Sequence, residues 1–345
     1  MFQRLIMQKK FIIEIGDLTF CVYPNNLTVT KIVNGIPISL NSSIRKKDLE
    51  LFNTFIEKAN TVISPSEGYE VVFEKNTGDQ DVFLLVDSLN DYALVINNQV
   101  QFTTNCERSY HEGLVSPAIG ALQTKPNNML ILGGGDGLAA KQALREHPDM
   151  KITLVDYDKQ LTDLFKLNEE LSRLNENSLL KCEVINDDAF SYIQKEKRKF
   201  DIIICDFPDP DQEIFNKLYS LEFYENLEDI LNKDGVVCIQ TGPLAYNSKC
   251  FLCITKTLET AGYKTLNYYT TTPFGPSTFV LCKRGETPVV NLKNSYETLN
   301  QDFFKNVMCT PIPNFTKNYE NVSINTVDNF AAYVYKLIEQ KVLKE

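Results

Sequence analysis

Leu130-Ile131-Leu132-Gly133-Gly134-Gly135-Asp136-Gly137 is the stretch that decides the fold. A short apolar run reads as a buried strand, and the following Leu138–His147 stretch, LAAKQALREH, reads as a helix. Glycines between the two let the backbone turn sharply and approach a ligand closely. The next apolar run, Leu154-Val155, ends on Asp156, where a doubly wound sheet places an acid for ribose hydroxyls. A glycine loop alone is a weak signal, and a bare strand-to-helix turn is its alternative reading. Strand, glycine loop, helix, strand and terminal acid make a stronger case together.

Outward from this core, strands and helices alternate. After KITLVDYD (151–158) come a helix over 159–174, a strand in LKCEVINDD (180–188) and a helix in AFSYIQKE (189–196). FDIIICDF (200–207) is a strand apolar on both faces, followed by a helical stretch to Leu231, a strand in GVVCIQTG (235–242) and a helix in KCFLCITKTLETAG (249–262). LNYYTTT and TFVLCKR close the set as an antiparallel edge. The pattern predicts an α/β domain, a doubly wound, Rossmann-like and methyltransferase-type sheet, mostly parallel and covered on both faces. A helix is expected over Tyr110–Gln123, just before it. Upstream, period-2 alternation predicts antiparallel strands over 1–40 and 68–104, with turns at Gly78-Asp79 and Asn97-Asn98 and a helix over 45–60. The expected organisation is an N-terminal extension over 1–62, an antiparallel β domain over 63–108, the Rossmann-like domain over 109–284, and a tail with a closing amphipathic helix over 285–345.

The 345 residues carry 35 Lys plus Arg against 45 Asp plus Glu, a net charge of −10. That balance argues against a partner bound by its nucleic-acid backbone and favours a cationic small molecule. No apolar run approaches a membrane span and no signal-peptide core is present, so a cytoplasmic protein without a membrane partner is expected. The nine cysteines are scattered, and the Cys250/Cys253 pair has no second CxxC to complete a zinc site. No metal is expected.

Several acids mark the ends of predicted strands. Asp136 opens a helix, where it can cap the first turn or hold a cation. It would repel a pyrophosphate, and so points to an adenosine ligand with a positive tail, such as a sulfonium nucleoside. Asp187 and Asp188 follow the third strand and can either receive an adenine amino group or cap the next helix. Asp206-Phe207-Pro208-Asp209-Pro210-Asp211 follows the most buried strand. Strand carboxyl ends line the ligand crevice of such sheets, and the prolines fix the loop, so this is an anionic pocket. Metal binding and a solvated turn are its other readings. Tyr110-His111-Glu112 lies at the junction of the β unit and the sheet domain.

NQVQFTTNCERSYHE, LILGGGDG, LVDYD, NDDAF, CDFPDPD and KLYSLEFY, in that order and spacing, resemble the polyamine aminopropyltransferase family, to which spermidine synthases belong. The resemblance runs from about Asn97 to Arg284. DFPDPD, KLYSLEFY and the later CTPIPNF are most similar to a bacterial branch often fused to membrane helices. The resemblance implies transfer of the aminopropyl group of decarboxylated S-adenosylmethionine, a co-substrate and not a cofactor, to an amine, usually putrescine, with methylthioadenosine leaving. It implies Asp136 on the donor's amino group, Asp156 on the ribose, Asp188 with Asp187 at the adenine, and Gly133, Gly135 and Gln101 lining the donor site. Asp206 would take the amine's proton with Tyr110 assisting, and Asp209 would grip the acceptor. Departures are Asp156 where Glu is usual, no tryptophan, and Phe274 where many spermidine synthases carry tyrosine. A homodimer is the expected assembly. An S-adenosylmethionine-dependent methyltransferase and a non-catalytic polyamine binder are the alternatives.

Overall fold

The computed structural model describes residues 11–15, 18–23, 26–28, 30–33, 36–39, 69–76, 81–88, 90–96, 99–104, 107–243, 248–272, 275–292, 296, 298–302, 304 and 319–342. The chain divides into two compact units, Met1–Asn105 and Cys106–Glu345. The helix expected over 45–60 falls outside the described residues.

In the first unit, β1 (Phe11–Ile15), β2 (Leu18–Tyr23) and β3 (Asn26–Thr28) form one antiparallel sheet, and β4 (Thr30–Val33) pairs with β5 (Ile36–Ser39). β6 (Tyr69–Asn76), β7 (Asp81–Asp87), β8 (Tyr92–Ile96) and β9 (Gln99–Thr103) form an antiparallel meander. β8 and β9 pair antiparallel with Ile96 opposite Gln99, and the turns expected at Gly78-Asp79 and Asn97-Asn98 fall outside the described residues.

The second unit opens with helix α1 (Glu107–Gly120) and builds a seven-stranded sheet. Its strands are β10 (Asn128–Gly133), β11 (Lys151–Val155), β12 (Glu183–Ile185), β13 (Phe200–Asp206), β14 (Leu231–Pro243), β15 (Tyr263–Thr272) and β16 (Gly275–Arg284). They stand in the order β12-β11-β10-β13-β14-β16-β15, with β12 to β14 parallel and β16 antiparallel to both its neighbours. The expected doubly wound sheet with an antiparallel edge is present. The connecting helices are α2 (Leu138–Glu146), α3 (Lys159–Leu167), α4 (Glu169–Leu174), α5 (Ala189–Lys195), α6 (Leu221–Ile230) and α7 (Ser248–Thr260), and α8 (Ala331–Val342) closes the chain.

Burial explains the pattern. Ile202, Ile203, Ile204 and Cys205 are each at most 1% exposed, because helices cover the sheet on both faces. In α2, Leu138, Ala139, Ala140, Ala143 and Leu144 turn inward, and the alanines let the helix lie close on the sheet. In α7, Cys250 and Cys253 both enter the core beside Phe251 and Ile254, so this CxxC packs the interior.

Four elements differ from expectation. α1 starts earlier than Tyr110, at Glu107, and stops at Gly120. The helix expected over 159–174 breaks at Asn168, whose side chain accepts from the N–H groups of Glu170 and Leu171 and so caps a second helix. The third strand shrinks to Glu183–Ile185. The helical stretch before Leu231 is a 3-10 segment, Glu213–Tyr219, and then α6, separated by Ser220, which caps α6 through the N–H of Phe223.

Candidate active site

The strand order reverses at β10, whose neighbours are β11 on one side and β13 on the other. Doubly wound sheets open their ligand crevice at such a switch point, outside the strand carboxyl ends. In register, Gly133 at the end of β10 pairs with Asp206 at the end of β13. Gly133 has φ +82°, and a Cβ there would stand 2.2 Å from the Asp206 carbonyl oxygen. Only glycine permits this approach. A Cβ on Gly135 would stand 2.8 Å from the Asp156 carboxylate. In its absence the Gly135 N–H donates to Asp156 Oδ2 at 3.0 Å, while the Asp158 N–H donates to Oδ1 at 2.8 Å. The glycine loop and the acid of the second strand are therefore one constructed unit, and Gly135 fixes the carboxylate that the sequence marks for ribose.

Three carboxylates gather at the crevice. Asp156 sits at the end of β11, and burial pushes its pKa up to about 6. Asp136 accepts from the Leu138 N–H at 2.9 Å through Oδ1, a local turn just before α2, whose N-cap position is Gly137 and carries no side-chain cap. Its Oδ2 has no partner among the described residues, and burial raises its pKa. Asp206 accepts a 2.8 Å hydrogen bond from Tyr110 Oη through Oδ1. Its pKa is pushed up to about 6, first by burial and then by the nearby Asp136 charge, against the opposing pull of His111 and Tyr110. Burial, with the charge and hydrogen bond of Asp206, raises the Tyr110 phenol well above its ordinary value. Tyr110 is thus a fixed donor to Asp206, and of this pair Asp206 is the group whose pKa is brought toward neutrality, as that of Asp156 is.

Behind Tyr110 lies a polar cluster that the sequence reading did not identify. Glu107 Oε1 accepts from Lys141 Nζ at 2.7 Å, and Glu107 Oε2 lies 3.1 Å from His111 Nδ1, all three side chains being buried. Burial works against the charged Glu107, but His111 and Lys141 outweigh it and bring its pKa down to about 2. Burial also works to lower the His111 pKa, yet Glu107, Asp136 and Asp206 together raise it. The neighbouring carboxylates thus favour the protonated form of His111, on the side of the crevice acids Asp136 and Asp206.

The remaining expected residues divide. Asp188 caps α5 through the Ser191 N–H at 2.9 Å and accepts from Lys217 Nζ at 2.7 Å, which overcomes burial and lowers its pKa. Asp187 accepts from the Asp188 N–H at 2.8 Å and has Lys195 at 3.6 Å. Asp209 follows on the loop after β13, where Lys336 Nζ of α8 lies 2.5 Å from its Oδ2 and Gln240 Nε2 lies 3.3 Å from its Oδ1. Lys336 was invisible to the sequence reading, which gave the C-terminal tail no part in the site. Gln101 is an exposed residue of β9, in the other unit. Phe274 lies outside the described residues. Among the described residues no group of three His, Cys, Asp or Glu side chains is placed to hold a metal ion, and no helix is long and apolar enough to cross a membrane.

Residues 107–294, more than half of the chain, match the family model of the spermine/spermidine synthase domain. The chain is 41% identical over 206 residues to polyamine aminopropyltransferase 1 of Streptomyces coelicolor, covering 59% of this chain and 38% of that protein. It is 35% identical over 272 residues to the polyamine aminopropyltransferase of Leptospira interrogans, covering 77% of this chain and 53% of that one. The chain thus spans about half or less of the length of these curated relatives. A crystallised spermidine synthase in complex with the transition-state analogue AdoDATO superimposes with a TM-score of 0.64 at 21% identity, over 73% of this chain and 88% of that one. The spermidine synthase of Thermotoga maritima gives 0.62 at 20%, over 72% and 87%. These two likenesses establish the shared fold.

Proposed function

The chain belongs to the spermine/spermidine synthase family, and on that premise we propose that it transfers the aminopropyl group of decarboxylated S-adenosylmethionine to an amine, putrescine foremost, releasing methylthioadenosine. The observation that carries the reading is the 2.8 Å Tyr110–Asp206 hydrogen bond at the switch point, beside Asp136 and Asp156.

The donor is a sulfonium, already a good leaving group. Asp156 receives the ribose hydroxyls and the open Oδ2 of Asp136 receives the donor's ammonium. Asp187 and Asp188 lie at the end of β12, toward the adenine. The acceptor amine arrives protonated, since an alkyl ammonium has a reference pKa of about 10.4. Asp206 then has two tasks: as a carboxylate it holds the ammonium, and as a base it accepts the proton while nitrogen attacks carbon and the C–S bond breaks. Tyr110 fixes Oδ1 of Asp206 and leaves Oδ2 for the amine. General-base help of this kind contributes about 10²–10⁴-fold, and in-line alignment of nitrogen, carbon and sulfur contributes further. A donor that kept its methionine carboxylate would set that charge against Asp136 and Asp206, which like-charge repulsion disfavours. That supports the aminopropyl reading over methyl transfer.

The test incubates the protein with decarboxylated S-adenosylmethionine and a panel of di- and triamines, and weighs the products. An acceptor heavier by one aminopropyl group, with methylthioadenosine, is expected. Methylated product with S-adenosylhomocysteine would replace this reading.

A further inference from the structure

Asp209 lies on the short loop that follows Asp206 at the end of β13, and the charges of both reach the hydroxyl of Tyr110. It is the natural second anchor for an amine with two ammonium groups, and it already carries one: Lys336 Nζ at 2.5 Å. We propose that Lys336 is a built-in competitor for the acceptor's distal ammonium, so that the chain binds a diamine no more tightly than a monoamine of the same length. This rests on the acceptor site proposed above.

The lysine side chain is a primary ammonium on a four-carbon stem, the same group that a diamine would bring to Asp209. It is not a loose surface cation, because its side chain is only 6% exposed. The helix that carries it is pinned at two points. The Ala332 N–H donates to Asn325 Oδ1 at 3.0 Å, and the Tyr333 N–H reaches Asn216 Oδ1 at 3.4 Å. Asn325 Nδ2 in turn donates to the Asn216 carbonyl at 3.0 Å, so α8 is tied to the segment just after the acidic loop. Gln240 stands on the other carboxylate oxygen of Asp209. A second ammonium can join Asp209 only beside Lys336, against like-charge repulsion, or by displacing it. The other role open to the pair is to clamp α8 onto the sheet, and that role alone leaves amine selectivity untouched.

Calorimetric titration of putrescine and of n-butylamine into protein saturated with methylthioadenosine tests this. In the wild type the two amines are expected to bind within about threefold of each other. Lys336→Met keeps the stem and removes the charge. Putrescine should then tighten by about tenfold or more, n-butylamine by less than about twofold, and Lys336→Arg should behave as wild type. Wild-type binding of putrescine more than about tenfold tighter than n-butylamine overturns the proposal, with no variant required. So does an unchanged putrescine affinity in a Lys336→Met protein that melts cooperatively, or binding of neither amine. Failure of aminopropyl transfer is read separately, from product masses, and strikes the function rather than this selectivity.

Discussion

Asp206 has an environment that suits a base at neutral pH. A buried carboxyl with its pKa pushed up to about 6 is ionised at pH 7 and still takes a proton readily. The sign of its pH dependence follows. Below about pH 6 the group is protonated and idle, so kcat/KM for the amine should rise with pH through that value. Above it, an ionised Asp206 and a protonated amine together make a plateau that lasts until the amine itself loses its proton, near its reference pKa of about 10.4. Asp206→Asn should lower kcat by about 10²-fold or more. The variant has no base, so only the free amine reacts. Its residual rate should climb with pH across the range where the wild type is level. An initial-rate series from pH 5 to 9 measures both, and a variant with the wild-type plateau would remove Asp206 from the role.

At the scale of elements, α1 and α2 are joined by charges. Glu107 at the start of α1 is buried between His111, one turn on, and Lys141 of α2. Glu107→Gln removes the anion from the buried Lys141 ammonium and from its contact with His111, and breaking such a buried pair costs about 3–5 kcal/mol. Urea unfolding at pH 7 should show that loss with little change in the slope. Because its folded pKa is depressed to about 2, the ionised Glu107 stabilises the fold above its unfolded value of about 4.3, and that share is lost as pH falls through the folded value. Wild type should therefore lose stability between about pH 5 and pH 2 by more than Glu107→Gln does. The same elements mark the limit of sequence reading. Asp156 and Asp206 were legible because each closes an apolar run whose period defines a strand, Asp136 because it stands in the glycine loop that follows such a run, and the carboxyl ends of strands share one edge of the sheet. The Gly133–Asp206 approach follows from the same pattern once β10 and β13 are neighbours. The break at Asn168 was not legible, since LFKLNEEL keeps helical spacing through it and only the side-chain cap reveals two helices. Glu107–Lys141 and Asp209–Lys336 were hidden for another reason. They lie 34 and 127 residues apart, and no local period encodes a contact between single charged residues on different elements. The CxxC misleads in the opposite direction, a motif-like spacing produced by the inward face of a core helix.

At the scale of the whole molecule the question is which nucleoside a chain of net charge −10 admits. Decarboxylated S-adenosylmethionine and S-adenosylmethionine differ by one carboxylate, on the carbon whose amino group Asp136 would hold. At an effective dielectric of 20, two like charges about 4 Å apart repel by roughly 4 kcal/mol. Water and relaxation reduce this, and at least an about tenfold preference for the decarboxylated donor is expected. Asp136 has a second task, because its Oδ1 accepts the Leu138 N–H, so Asp136→Ala should also cost about 1 kcal/mol of stability as a lost hydrogen bond. Asp136→Asn separates the two. Its amide oxygen can keep the hydrogen bond from the Leu138 N–H while the charge is gone, so the protein should melt close to wild type and yet lose most of its preference between the nucleosides. The general field of the acidic chain acts differently from this one carboxylate. It attracts any cation at a distance, and screening by salt weakens it within a Debye length of about 8 Å at 0.15 M. Raising ionic strength should therefore slow association of the decarboxylated donor more than it alters the ratio of the two affinities, which is set at short range. Titration calorimetry of both nucleosides into wild type, Asp136→Asn and Asp136→Ala, at low and high salt, reads all of these. A wild type that binds the two equally would remove the argument from charge. A preference that survives Asp136→Asn intact would move its origin to another residue of the crevice, Asp206 first.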